Sequence, residues 1–217
     1  MKNMKKMMAL MLALALLVGG IIGGTIAWLT ASTDPVTNTF TVGDIDLTLK
    51  ETELTYNEEG NPVYGELKSD IENDYKLIPG TEYTKDPVVT VTDDSEDCYL
   101  FVKVVETNNP ANYLTYSYAM DAENSGWTKL DSASSNGTTV WYREVNQEDA
   151  GSAKTFYLLT ANKVIVKDTI VKTGTNPVPD GMIEMPADSA KPSMVFTAYA
   201  VQLDNLSVTE AWEKVSA

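Results

Sequence analysis

Histidine is absent from all 217 residues, which removes zinc sites of the HExxH kind, Ser-His-Asp triads and Cys-His pairs at once. What enzymology is left needs an all-carboxylate metal site or a Ser-Lys arrangement. Lys172-Thr173-Gly174 spells the KTG box of serine β-lactam-binding enzymes, but no S-x-x-K accompanies it, and the tripeptide reads as a strand end. No G-x-S-x-G, P-loop or dinucleotide fingerprint is present either. The expectation is a protein that is not an enzyme.

Cysteine is almost as scarce. Cys98 is the single one, so no intramolecular disulfide can form and an exported chain must be stable through its core. It lies too far from the N-terminus to be a lipidated leader cysteine, and its place before YLFVKVV reads as a buried strand residue. Basic residues are few: 16 Lys and Arg against 31 Asp and Glu give a net charge of −15. Such a surface repels nucleic acid and anionic lipid. It suits cationic partners or calcium.

Long apolar runs are missing except at the start. Lys2, Lys5 and Lys6 precede an apolar stretch over residues 7–18, which Gly19, Gly20, Gly23 and Gly24 then interrupt. This is the layout of a secretory signal. Thr25 and Ala27 place small residues three and one positions before Trp28, the pattern a signal peptidase binds in extended form, so residues 1–27 are expected to be removed after Ala27. The rival reading is an uncleaved anchor, since the run continues through Trp28 and Leu29. Against it stand the glycines, each costing a helix interior ~1 kcal/mol relative to Ala, and the lack of a basic stop-transfer cluster after Leu29.

The remaining chain is rich in short alternating segments. Residues 36–42 (VTNTFTV) and 44–49 (DIDLTL) alternate as half-buried strands do, with a phase change at Gly43 that suggests a bulge. Residues 57–65 are turn-rich and, with the charged segment 68–74, read as a surface insertion. Pro79-Gly80 introduces a strand over residues 83–92, which the acidic loop 93–97 (DDSED) turns into a second strand over residues 99–105 as a hairpin. Short strands follow at residues 113–120, 127–130 and 138–144, then a hairpin of 155–160 with 163–171 around Ala161 and Asn162. The proline- and glycine-bearing segment 174–192 reads as a loop, and residues 193–203 as the last long strand. In residues 207–217, Ser207 and Glu210 fit a capping box, while Val208, Trp212 and Val215 share one helical face. Many short strands and one small helix imply an antiparallel β-sandwich with a short C-terminal helix.

GGTIA followed by NTF-T-GDIDLTL resembles the signal and first strand of the TasA/camelysin family of secreted Gram-positive proteins. KLIPGTEYTKDPVVTV at residues 76–91 and MVFTAYAVQ at residues 194–202 are similar to later strands of that family. The resemblance implies an all-β, jelly-roll sandwich over residues 37–217, a leader cut by a SipW-type signal peptidase, and assembly into biofilm-matrix or cell-surface fibres. It also implies that residues 28–36 form a donor arm, in which Trp28, Leu29 and Val36 lead into a first strand carrying Phe40 and Val42. Other matrix proteins or polysaccharide are partners consistent with it, nucleic acid is not, and the membrane is met only through the leader. The camelysin branch is classed as metalloprotease, a reading the missing histidines disfavour.

Two binding readings stand beside the fibre one. Asp93, Asp94, Glu96 and Asp97 offer oxygens to calcium, although the loop lacks the glycine and distal glutamate of an EF-hand. No other cofactor is expected. Tyr116, Tyr118, Trp141 and Tyr142 could line a glycan surface, or divide between core and ordinary surface as alternating strand residues do.

Cleavage after Ala27 gives the first prediction. N-terminal sequencing of the exported protein should read from Trp28, and Ala27→Phe should leave the full-length chain in the membrane fraction. Met1 at the N-terminus of the exported protein would contradict this.

Overall fold

The alternation that begins at Ile45 and Leu47 runs further than the sequence suggests, through a strand of ten residues, β1 (Leu47–Tyr56). The computed structural model describes residues 45–216 apart from 70, 94, 147–153, 173 and 204. The strands after β1 are β2 (Pro62–Lys68), β3 (Glu82–Thr84), β4 (Val88–Val91), β5 (Cys98–Thr107), β6 (Leu114–Thr115), β7 (Thr128–Lys129) and β8 (Thr138–Val145). They continue as β9 (Thr155–Tyr157), β10 (Lys163–Val166), β11 (Ile170–Val171), β12 (Ile183–Glu184) and β13 (Ser193–Gln202). A single-turn helix, α1 (Pro110–Tyr113), precedes β6, and α2 (Val208–Ser216) closes the described chain.

Two four-stranded antiparallel sheets make the sandwich, in the orders β2-β1-β4-β9 and β13-β5-β8-β7. Strand β4 pairs with β9 in the first sheet while β5 pairs with β8 in the second. The chain thus crosses from one sheet to the other between β4 and β5 and returns between β8 and β9. This nested pairing carries the chain back and forth between the two sheets of an antiparallel sandwich. A smaller sheet, β3-β10-β6, and the parallel pair β11-β12 complete the fold.

The inner faces meet over Val89 and Val91 from one sheet and Leu100, Val102, Val104 and Trp141 from the other. Burying each such side chain is worth roughly 1.5–3 kcal/mol, whereas an exposed ion pair such as Lys68–Glu53 contributes ~0–1. The sandwich therefore rests on its core. A second cluster, built on Tyr83, Val164, Val166 and Leu159 with Leu54, lies under the β3-β10-β6 sheet.

The outer face of the second sheet is covered by α2. Ser207 and Glu210 form the expected capping box: Ser207 N–H donates to Glu210 Oε2 at 2.9 Å, and Glu210 N–H to Ser207 Oγ at 3.4 Å. The Ser207 hydroxyl, which donates to Glu210 Oε2 at 2.6 Å, and then the Ser207 N–H hold the Glu210 carboxyl below its usual range. Trp212 then packs on Phe101 and Tyr199, with ring centroids 5.4 Å and 5.5 Å away, and Ala211 is fully buried. An isolated helix of nine residues is marginal in water, so it is this packing that holds it.

Several expectations from sequence are corrected. Residues 57–65 lie at the surface, as expected of an insertion, but are ordered into a hairpin, because β2 pairs with the second half of β1 from Glu51↔Lys68 to Tyr56↔Pro62. The stretch 83–92 is two strands in different sheets, interrupted by Pro87, which has no N–H for a ladder. Loop 93–97 is a corner between sheets and not a hairpin tip: β4 takes β1 and β9 as partners, β5 takes β8 and β13. Buried Ser95 pins that corner, its Oγ accepting the Asp46 N–H at 3.0 Å. The 155–171 hairpin is likewise undone, since β9 pairs with β4 and β10 with β3 and β6, although Ala161 and Asn162 do take the left-handed backbone at φ 55° and 54°. Of residues 113–120 only β6 is a strand, and of 127–130 only β7.

One glycine is dictated by close approach. Gly137 has φ +79°, and a Cβ there would sit 2.6 Å from the Glu106 carbonyl oxygen, which no side chain can do. Gly80 shares the backbone sign at φ +73° but has nothing within 4 Å. We expect Gly80→Ala to cost ~1 kcal/mol, the backbone term alone, and Gly137→Ala to cost at least about twice that. Urea unfolding of the two variants at an unchanged m-value checks the difference.

Candidate functional site: an open cleft between the sheets

Among the described residues no strand joins the two sheets along one side. Strand β13 pairs through its whole length with β5, from Ser193↔Thr107 to Gln202↔Cys98, and among the described residues no strand pairs with its other edge. In β1 the segment Leu47–Lys50 pairs with β4, while β2 begins its pairing only at Glu51. Both unpaired edges line one cleft of about 1350 Å³, walled on its third side by residues of the 71–77 segment. Leu47, Leu49, Phe196 and Ala198 give it an apolar floor continuous with the core. A long edge with free N–H and C=O groups is a template for another strand.

One end of the cleft is polar. Lys85 Nζ lies 3.2 Å from both carboxylate oxygens of Glu51, and both side chains are mostly buried, 9% and 15% exposed. Glu51 Oε1 also accepts the Tyr75 hydroxyl at 2.6 Å and the Asn73 amide at 2.9 Å. The Lys85 ammonium sits 4.9 Å from the centre of the Tyr75 ring and 5.6 Å from that of Phe196. Burial first, and the Glu51 carboxylate second, push the Tyr75 hydroxyl well above the usual tyrosine range. Asp86 closes the network by accepting both Thr52 N–H at 2.9 Å and Thr52 Oγ1 at 2.6 Å.

A second constellation stands behind β13. Tyr116 and Tyr118 both donate to Glu106 Oε1 at 2.5 Å, and Tyr118 packs edge-on against Phe196. Burial and the Glu106 carboxylate raise both hydroxyls far above their ordinary value. These rings brace the cleft floor from below.

The sequence candidates land elsewhere or apart. Thr25, Ala27, Trp28, Leu29, Val36, Phe40 and Val42 lie outside the described residues, as does Asp94 of the acidic loop. Asp93, Glu96 and Asp97 are on the β4–β5 corner, and among the described residues no group of three His, Cys, Asp or Glu side chains could hold a metal ion. The four aromatics do not share a surface. Trp141 is in the inner core, Tyr142 is on the opposite face beside Phe101, and Tyr116 and Tyr118 belong to Glu106. Lys172 follows the end of β11, as a strand end should. No described helix is long and apolar enough to cross a membrane.

The cleft itself was not legible in the sequence. Its walls come from segments far apart in the chain, and nothing local to Lys85 or Asn73 marks them as neighbours of Glu51. No family model, curated protein or solved structure matches the chain.

Cys98 is fully buried, and burial pushes its thiol up to about 11, with Asp97 adding to the shift and Lys154 opposing it. A raised pKa keeps the thiol protonated and inert at pH 8. We expect no labelling of the native protein by a water-soluble disulfide reagent at that pH and one equivalent after unfolding in guanidinium. Rapid native labelling would contradict this burial.

Proposed function

We propose that this protein is a secreted structural subunit of an extracellular biofilm-matrix or cell-surface fibre, in which the N-terminal arm of one copy occupies the cleft of the next. The observation that carries this reading is the cleft bounded by edges of β13 and of Leu47–Lys50 that pair with no other strand among the described residues. An added strand there gains backbone hydrogen bonds from an edge while alternate side chains enter an apolar floor. The chain offers a suitable occupant in the arm of residues 28–36, tipped by Trp28 and Leu29 and continuous with the alternating first strand that carries Phe40 and Val42. Head-to-tail donation does not close on itself, so it builds filaments.

The resemblance of the leader and first strand to the TasA/camelysin family supports the same assignment, as does the histidine-free sequence, which favours a structural role over proteolysis. A SipW-type peptidase would release the arm, which is unavailable for donation while residues 1–27 hold it at the membrane. Pro35 limits the length of pairing, because it lacks the N–H that a ladder needs.

Two variants test the reading by electron microscopy of the mature protein. Deleting residues 28–36 should leave a folded monomer without filaments, and Ala198→Trp, which fills the cleft floor, should do the same. Filaments from either variant indistinguishable from those of the intact mature chain would place assembly on another surface.

A further inference from the structure

The polar end of the cleft brings together an amine, a carboxamide and a carboxylate on one oxygen, and from that juxtaposition we propose that Lys85 and Asn73 join in a self-generated isopeptide bond with Glu51 as the proton-transfer group. Glu51 Oε1 is hydrogen-bonded to both reacting side chains, to Lys85 Nζ at 3.2 Å and to Asn73 Nδ2 at 2.9 Å. Nucleophile and leaving group thus flank the atom that must move protons between them. The orientation of the Asn73 amide is set by its surroundings: Leu54 N–H donates to Oδ1 at 2.8 Å, while Nδ2 donates to the Thr52 carbonyl at 2.9 Å. The Leu54 N–H therefore already points at the oxygen on which negative charge develops when the carboxamide carbon is attacked.

The reaction balances with no outside reagent. A proton passes from the Lys85 ammonium to the Glu51 carboxylate along the existing bond, leaving a neutral amine. Nζ attacks Asn73 Cγ, the C=O electrons move to Oδ1, and Glu51 gives its proton to Nδ2 while its carboxylate takes one from Nζ. The C–Nδ2 bond breaks, the carbonyl re-forms, and ammonia leaves, taking up the remaining proton as ammonium. One amide has replaced another, with no change of oxidation state.

The setting favours this chemistry. Lys85 is 7% exposed and the rings of Tyr75 and Phe196 enclose its ammonium, which excludes the water that would compete as nucleophile. The long lysine stem lets Nζ swing about the shared oxygen onto Cγ, and such positioning makes an otherwise slow amide exchange effectively unimolecular. The product ties the 71–77 wall of the cleft to the strand-side Lys85, a covalent brace in a chain whose single cysteine can supply no intramolecular disulfide.

Mass spectrometry of the purified, folded chain is the test. The intact mass should fall short of the sequence mass by one ammonia, and trypsin should yield a branched peptide joining residues 69–76 to residues 77–103, because acylated Lys85 is no longer cut. Glu51→Gln, Asn73→Ala and Lys85→Arg should each restore the full mass and the ordinary tryptic peptides, with circular dichroism confirming a β fold. A folded wild-type chain of full mass would overturn the proposal. So would an ammonia loss that maps to a cyclised asparagine elsewhere, or a Lys85–Asn73 link that forms to the same extent in Glu51→Gln.

Discussion

Strand β5 is buried on both faces, and the rest of the molecule answers to that constraint. Its sequence CYLFVKVV is nearly continuous in apolar residues, so covering one face alone would leave a large hydrophobic surface in water. Leu100, Val102 and Val104 face the first sheet, whereas Phe101 faces outward and is nonetheless fully buried. Helix α2 provides that second cover through Trp212 and Ala211. The capping box is thus part of core formation. It starts the helix where its apolar face lands on Phe101.

Placing β5 at the centre also decides what lies at the edge. With β8 on one side and β13 on the other, β13 becomes a ten-residue strand whose other edge pairs with no strand among the described residues, and its cleft-facing residues include the small Ala198. Opposite it, β1 changes partner at Lys50 and Glu51, from β4 to β2, which among the described residues leaves Leu47–Lys50 paired on one side alone. Glu51 sits at that change of partner. There its carboxylate gathers Lys85, Asn73 and Tyr75, so the same residue that ends the open segment of β1 also anchors the wall of the cleft.

Local pattern made the fold class readable, and pairing was where it stopped. The alternation at residues 138–144 and 193–203, the buried position of Cys98 and the Ser207–Glu210 box all depend on neighbours within a few residues, and the structure bears each of them out. Which strand meets which does not depend on neighbours. Residues 83–92 and 99–105 look like a hairpin because an acidic turn joins them, yet β4 and β5 pair with distant partners in separate sheets. The acidic turn misled for the same reason: a solvated tip and a corner have similar compositions, and what tells them apart is the pairing of the flanking strands and the burial of Ser95. The cleft, drawn from β1, the 71–77 segment and β13, lies wholly beyond short-range reading.

The central claim is that the edge of β13 turned away from β5 is a seat for a strand of another copy. Amide hydrogen exchange, resolved to peptides and compared between monomer and fibre, tests it most directly. Residues 193–202 and 47–50 should exchange measurably faster in the monomer than β5 does, and should reach protection comparable with β5 once fibres form. Fibres in which those residues keep their monomer exchange rates, or a monomer in which the β13 edge is already as protected as β5, would contradict the account.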